Sequence, residues 1–463
     1  MSLELAVAAH VTLLLIGVSW AFGGNADWVR TPIAVFASLG FLATLALVAR
    51  RGPRSRIETG TLHWIWPVAI LNALVFASCL TPGFRSVATG GVPLMIPLWA
   101  PWWIPTVTSR TAALHALWLF DGIYFSCLNL ALAVRHRRTL RILFGAAVAN
   151  AAALAVFGTV QKLVGSTGIF FGAIDTPGKF FASFVYDNHW GAFIILMMGA
   201  CIGLTLGYAY GRRGEGFFKG PAASGLVAAT LLAISVPLSG ARACTLLLGF
   251  MVAVALARGV PRISAALLAS GVPRAGVFAG MAAAAIVACA GAWLVAGDTI
   301  EARALKTREQ VSEMWVHRGI GSRTILYRDT WRMAKERILF GWGMGSFPTV
   351  FGLYNTQESK IDHIPVVYHD AHSDWLQSVA EIGLAGTAMI AAAVLLPARA
   401  LRKSRISTLP FFLLVGCVLV GAYAWVEFPF GNVAVVLAWW LSFFGAVQYV
   451  RLTAHPDGVQ HPP

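Results

Sequence analysis

A chain of 463 residues with 58% hydrophobic and only 12% charged side chains is not an ordinary soluble domain, where about a quarter of residues are charged. Apolar runs of roughly 18 residues or more recur along it, each long enough to span about 30 Å of hydrocarbon, so the sequence predicts an all-α integral membrane protein. The formal net charge of +15 raises the question of nucleic acid, and the positions of the charges decide it.

Twelve spans are predicted, at 4–22, 31–49, 62–80, 111–133, 142–163, 189–209, 222–237, 241–257, 275–296, 375–397, 409–426 and 431–450. The first run, Leu3 to Phe22, lacks a basic leader and reads as a retained span. After every second span comes a short basic connection: Arg50/Arg51/Arg54/Arg56, Arg135/Arg137/Arg138/Arg141, Arg212/Arg213/Lys219, Arg258/Arg262/Arg274 and Arg399/Arg402/Lys403/Arg405. With Arg451 after the last span, 19 of the 35 Lys and Arg fall on one side. The positive-inside rule makes that side cytoplasmic and puts both termini there. The surplus charge is therefore a topology signal, and no nucleic-acid partner is expected. Six cysteines lie singly in apolar runs with no CxxC pair, which excludes a metal ribbon or a disulfide framework.

The outward connections differ in kind. Residues 81–110, rich in Pro and Trp, suit a segment lying at headgroup level. Residues 297–374 form one large loop between the ninth and tenth spans, too long for a mere connector. The chain thus divides into spans one to nine (1–296), this loop with helical segments (297–374), spans ten to twelve (375–450) and a tail (451–463). Inside the loop, Thr324 to Arg337 reads as a helix ended by the glycine turn Gly341-Trp342-Gly343-Met344-Gly345. That turn is weak as a phosphate loop because no strand precedes it.

Where the loop meets the tenth span, Tyr368-His369-Asp370-Ala371-His372-Ser373-Asp374 and then Glu381-Ile382-Gly383-Leu384-Ala385-Gly386 gather imidazoles and carboxylates at a water–lipid boundary. Two readings stand: a place for chemistry, or a polar helix start with Asp370 or Ser373 as N-cap and Glu381 as a satisfied charge. Gly383 and Gly386 would let the helix pack closely on a neighbour. The topology brings Asn188, His189, Arg242, Arg323, His372, Asp374 and Glu427 to this same outer face. Arginines flanking a histidine suit a phosphate-bearing anion, since guanidinium offers a fixed fork of donors and stays charged. Asp374 or Glu381 is a candidate to orient His372. His363, His369, Asp370, His372 and Asp374 include metal-ligand types, but H-D-x-H-x-D matches no hydrolase spacing and no metal is expected. Asp121, mid-span, is either a structural partner of a hydroxyl or His115, or part of a proton path.

His372-Ser373, nine residues, then Gly383-x-x-Gly386 resembles the histidine signature of bacterial O-antigen ligases. The run Ala371 to Gly386 is similar to the broader O-antigen ligase/polymerase superfamily, as are Phe184–Ala192, Leu238–Leu246 and Gly321–Phe347. Val426-Glu427-Phe428-Pro429 resembles a further segment, which usually carries Asp. The resemblance implies a GT-C-like membrane glycosyltransferase of the bacterial inner membrane. It would move a glycan from undecaprenyl pyrophosphate to an acceptor at the periplasmic face, inverting and without metal or other cofactor. Residue by residue, it implies that Arg242 and Arg323 hold the pyrophosphate and that His372 is catalytic. Asn188, His189, Asp374, Glu381 and Glu427 are supporting candidates. The acceptor implied is lipid A–core, with a surface-polysaccharide polymerase acting on a growing glycan, or a protein O-oligosaccharyltransferase, as alternatives. A membrane transporter is the rival of another class. It would call for inverted repeats with broken helices at the midplane, and no such symmetry is evident.

Overall fold

The computed structural model describes residues 3–49, 59–89, 92–176, 179–211, 220–269, 273–276, 321–356, 360–361, 364–365, 367–402 and 404–454. Twelve helices of 15 residues or more organise them: α1 (Leu3–Trp20), α2 (Asp27–Ala49), α3 (Trp66–Leu80), α4 (Arg110–Ala133), α5 (Arg137–Leu163), α6 (Asp187–Gly211), α7 (Pro221–Ser239), α8 (Arg242–Ala269), α9 (Gly321–Glu336), α10 (Asp374–Ala398), α11 (Thr408–Tyr423) and α12 (Val433–Ala454). Nine of them, among the described residues, are long and apolar enough to cross a membrane; α3 and α11 are shorter apolar helices and α9 is polar. Helix is the form such runs must take, because hydrocarbon offers the main chain no other hydrogen-bond partner. Eleven of the twelve predicted spans coincide with α1–α8 and α10–α12; of the predicted ninth, 275–296, all but the first two residues lie outside the described residues. So do Arg50, Arg51, Arg54, Arg56, Arg212, Arg213, Lys219, Lys403 and His363.

The bundle centres on α12, from Val433 to Val450 almost wholly enclosed by α4, α6 and α11. Small residues set the closest approaches. A Cβ on Gly199 of α6 would lie 2.5 Å from the Phe412 carbonyl oxygen of α11, and one on Gly40 of α2 would lie 2.2 Å from Ser126 Oγ of α4. Buried polar groups are paired across the same seams: Thr44 donates to Asn129 (2.8 Å), and Asn72 of α3 donates to Asp121 of α4 (3.0 Å). The second contact gives Asp121 a structural partner, although not the hydroxyl or His115 considered from sequence; His115 meets Thr31 instead (3.2 Å).

The two ends of the bundle differ. At one, Arg141 donates to the Tyr449 hydroxyl, Arg451 to Thr61, and His136 meets Glu4, so the described basic connections gather together. At the other lie the starts of α6, α8 and α10, the end of α11, and a loop region built on α9.

That loop region adds a strand pair and corrects one expectation. Within 81–110, β1 (Phe84–Thr89) pairs antiparallel with β2 (Val92–Pro97), Phe84↔Pro97 through Thr89↔Val92. Trp99, Trp102 and Trp103, just beyond it, are the exposed aromatic residues. The correction concerns Gly383, which interrupts α10 at φ +66°, ψ −175° rather than seating one membrane helix on another. A left-handed φ of this kind is cheap only for glycine, and a Cβ here would lie 2.3 Å from the Leu339 carbonyl oxygen. The break frees main-chain groups on both sides, and the segment Ile338–Gly343, which runs into the glycine turn, takes four of them. Trp342 and Gly343 N–H donate to Ala380 and Glu381 C=O, while Leu384 and Ala385 N–H donate to Ile338 and Leu339 C=O, at 2.8–3.0 Å. A buried polar main chain requires such partners.

Candidate active site

Ser373 begins α10 as its N-cap, accepting Leu376 N–H (3.4 Å), so the helix-start reading of this stretch holds for that residue. The residue before it, His372, has a left-handed main chain (φ +50°), uncommon for a side chain with a Cβ. Its carbonyl accepts the Tyr327 hydroxyl (2.8 Å), which also reaches Val426 O (3.3 Å). Ala371 N–H is held by Gln377 Oε1 (2.9 Å). The turn carrying the imidazole is thereby tied to α9, to α10 and to the segment after α11.

α11 ends at Tyr423, short of the predicted 426, and the following turn carries Glu427. Asp374 N–H donates to Ala424 O (2.9 Å) and Asp374 Oδ2 accepts Phe430 N–H (2.8 Å), which fastens this turn to the start of α10. The close packing of α6 on α11 then brings Asn188 and His189 alongside.

The result is a polar centre on Glu427. His372 Nδ1 meets Glu427 Oε2 at 3.2 Å, Arg323 pairs with Oε1, and Asn188 Nδ2 donates to Oε1 at 3.2 Å. Arg323 also donates to Val426 O (3.1 Å). The Glu427 side chain is 4% exposed, whereas those of His372 and Arg323 are 29% and 46% exposed, so the carboxylate forms the floor and the two basic groups face solvent. Burial alone would raise the Glu427 pKa, but the His372 hydrogen bond and the Arg323 charge hold it below the usual carboxylate value. Glu427 in turn holds the Arg323 guanidinium above its ordinary value against the opposing effect of burial.

Phe428 forms an aromatic wall. His372 stands edge-on to it at 4.7 Å, Tyr186 stacks on it at 5.4 Å, and His189 lies edge-on at 5.0 Å. His189 is buried and its Nε2 meets Phe428 O (3.1 Å), so it braces the wall. Asp370, before the histidine, has its pKa raised by burial, against the opposing charges of His372, His369 and Arg30.

Of the residues expected from sequence, Arg323, His372, Glu427 and Asn188 meet directly. Arg242 is the first residue of α8. Two residues on, Cys244 Sγ reaches Asn188 O (3.7 Å), which puts the start of α8 against the start of α6 at the same end of the bundle. The carboxylate beside His372 belongs to Glu427, not to either of the two proposed as its orienter. Asp374 serves Phe430 N–H. Glu381 accepts Gly345 N–H (2.9 Å), Phe347 N–H (3.0 Å) and Gln377 Nε2 (3.3 Å). The glycine turn does cradle an anion, and the anion is the chain's own. Tyr327, Tyr186 and Phe428 were missed; a tyrosine four residues after Arg323, on the same face of α9, was the available signal. Among the described residues no group of three or more His, Cys, Asp or Glu is arranged around a common centre.

Residues 227–391 match the family model described as O-antigen ligase, a stretch that includes Arg242, Arg323 and His372 but neither Asn188 nor Glu427. No curated protein matches the chain. With nine helices long and apolar enough to cross a membrane and a segment, residues 227–391, similar to the O-antigen ligase family, the chain has the features of the O-antigen ligase/polymerase superfamily, and the match supports its membership.

Proposed function

We propose that this protein transfers a glycan from undecaprenyl pyrophosphate to lipid A–core, at the periplasmic face of the bacterial inner membrane, with inversion. The observation that carries the reading is the contact of His372 Nδ1 with a buried, ionised Glu427 that also holds Arg323. A carboxylate on Nδ1 favours the tautomer with the proton there, which leaves Nε2 as the base. In the reaction the acceptor hydroxyl oxygen attacks the anomeric carbon as its proton passes to Nε2. The bond from that carbon to the phosphate oxygen breaks, and the pyrophosphate leaves with the electron pair. The exposed edge of Arg323, with Arg242 from α8, would stabilise the charge that develops on it. Neither the base nor the charge stabilisation calls on a metal in this scheme. Basic connections at the opposite end of the bundle support the orientation.

Deleting the gene tests the acceptor. Free lipid-linked polymer should accumulate; single repeat units accumulating instead would mark a polymerase and overturn the ligase reading. In purified protein with a lipid-linked donor, His372→Ala should abolish transfer while still inserting and folding, and full activity in that variant would refute the mechanism.

A further inference from the structure

The end of the bundle opposite His372 carries a chemistry that glycan transfer does not use. Two cavities open there. One, of about 200 Å³, is lined by Arg137, Arg141, Tyr208, Ser407, Thr408 and Tyr449 among others. The second, of about 370 Å³, is lined by Arg399 and Arg451 with Thr61, His63 and Trp64. Tyr449 and Arg451 are two residues apart on α12, roughly 200° around the helix, so the cavities lie on opposite sides of its end. Among the described residues no carboxylate lines either of them.

The first cavity gathers donors. Arg141 directs Nε and one Nη at the Tyr449 hydroxyl oxygen (3.0 and 2.8 Å), which makes that oxygen an acceptor and leaves its own O–H to donate. Ser407 Oγ is enclosed by protein and has no hydrogen-bond partner among the described residues. Ser407 is the N-cap of α11, yet its side chain makes no cap bond, so the first-turn N–H groups of that helix are left uncapped by it. Guanidinium forks, hydroxyls and a helix N-terminus together suit the oxygens of a phosphate.

We propose that this cavity binds the phosphate of an anionic phospholipid headgroup, in the leaflet opposite the His372 site. Its walls are the ends of four apolar helices, α5, α6, α11 and α12, and it therefore sits at headgroup depth. The same basic, acid-free composition recurs on the far side of α12. That recurrence fits a ligand that is a component of the surrounding membrane better than one dedicated metabolite. The inference is independent of the transfer chemistry.

The full chain, purified in neutral detergent, is titrated with micelles containing phosphatidylglycerol, with phosphatidylcholine, or with inorganic phosphate, and its unfolding midpoint is followed. Phosphatidylglycerol should raise the midpoint saturably, and phosphatidylcholine should not, because the arginines repel its quaternary ammonium. Arg141 also ties α5 to α12, so the weight rests on Arg137→Gln and Ser407→Ala. Arg137→Gln should raise the half-saturating lipid fraction roughly tenfold and Ser407→Ala severalfold. An equal response to both lipids, or an unchanged titration in Arg137→Gln, would overturn the site. Inorganic phosphate alone producing the whole shift would overturn the lipid as its source.

Discussion

Two glutamates, Glu427 buried and Glu381 half-buried, serve the same polar region, and their surroundings could hardly differ more. Glu427 is met by side chains that ionise or exchange protons, His372 and Arg323, both partly open to water. Glu381 is met by the main-chain N–H groups of Gly345 and Phe347 and by an amide from its own helix. Backbone donors cannot leave or change charge, so they fix a loop. Ionisable partners couple a carboxylate to whatever approaches from solvent. Sequence puts Glu381 nearer to His372, yet the distant residue is the one at the imidazole.

Glu427→Gln should break this comparison most deeply. It keeps the shape but removes the charge that orients the imidazole, and kcat should fall by roughly 10²-fold or more. The same variant reports on stability. Because the folded pKa of Glu427 is depressed, its contribution is present above the unfolded value of about 4.3 and is lost as pH falls through the folded value. The unfolding midpoint of the wild type should drop over that acid window, and Glu427→Gln should lack that component. An identical acid profile would mean that Glu427 is not held ionised by its neighbours.

Arg323→Ala and Arg242→Ala come next. Donor KM should rise in both, with only partial rescue by Lys, which lacks the planar fork. Unchanged donor kinetics in both variants would argue against a pyrophosphate role. Smaller again is Tyr327→Phe, which removes the hydroxyl that holds the left-handed His372 carbonyl. About 1 kcal/mol is expected, read as a severalfold loss in kcat with donor KM unchanged. A loss confined to folding yield would reduce Tyr327 to a structural prop. Least of all for catalysis, Glu381→Gln should lower the unfolding midpoint while kcat and KM of the folded protein stay within about twofold of wild type. A large kcat effect there would erase the distinction between the two glutamates.

How much of this was legible from sequence follows the range of the interactions involved. Hydropathy runs gave the spans, since each is a local property of about twenty residues. The alternation of basic connections correctly brought Asn188, Arg323, His372 and Glu427 to one end. Which carboxylate meets which imidazole was not legible, because His372 and Glu427 are joined through the packing of α10 on the turn after α11. The role of Gly383 was misread for a related reason. Small residues spaced by three serve both close helix packing and helix interruption, and only the partner, here the main chain of Ile338 to Gly343, decides. The pairing of 84–89 with 92–97 was obscured by its prolines and by the tryptophans that follow it.

The four main-chain bonds fastening Ile338–Gly343 to both sides of the interruption in α10 have a practical corollary for engineering. The footing of His372 is shared between a long apolar helix, α10, and the lobe built on α9. Changes to that lobe away from Tyr327 and Arg323 would therefore re-aim the imidazole without altering any residue that touches it.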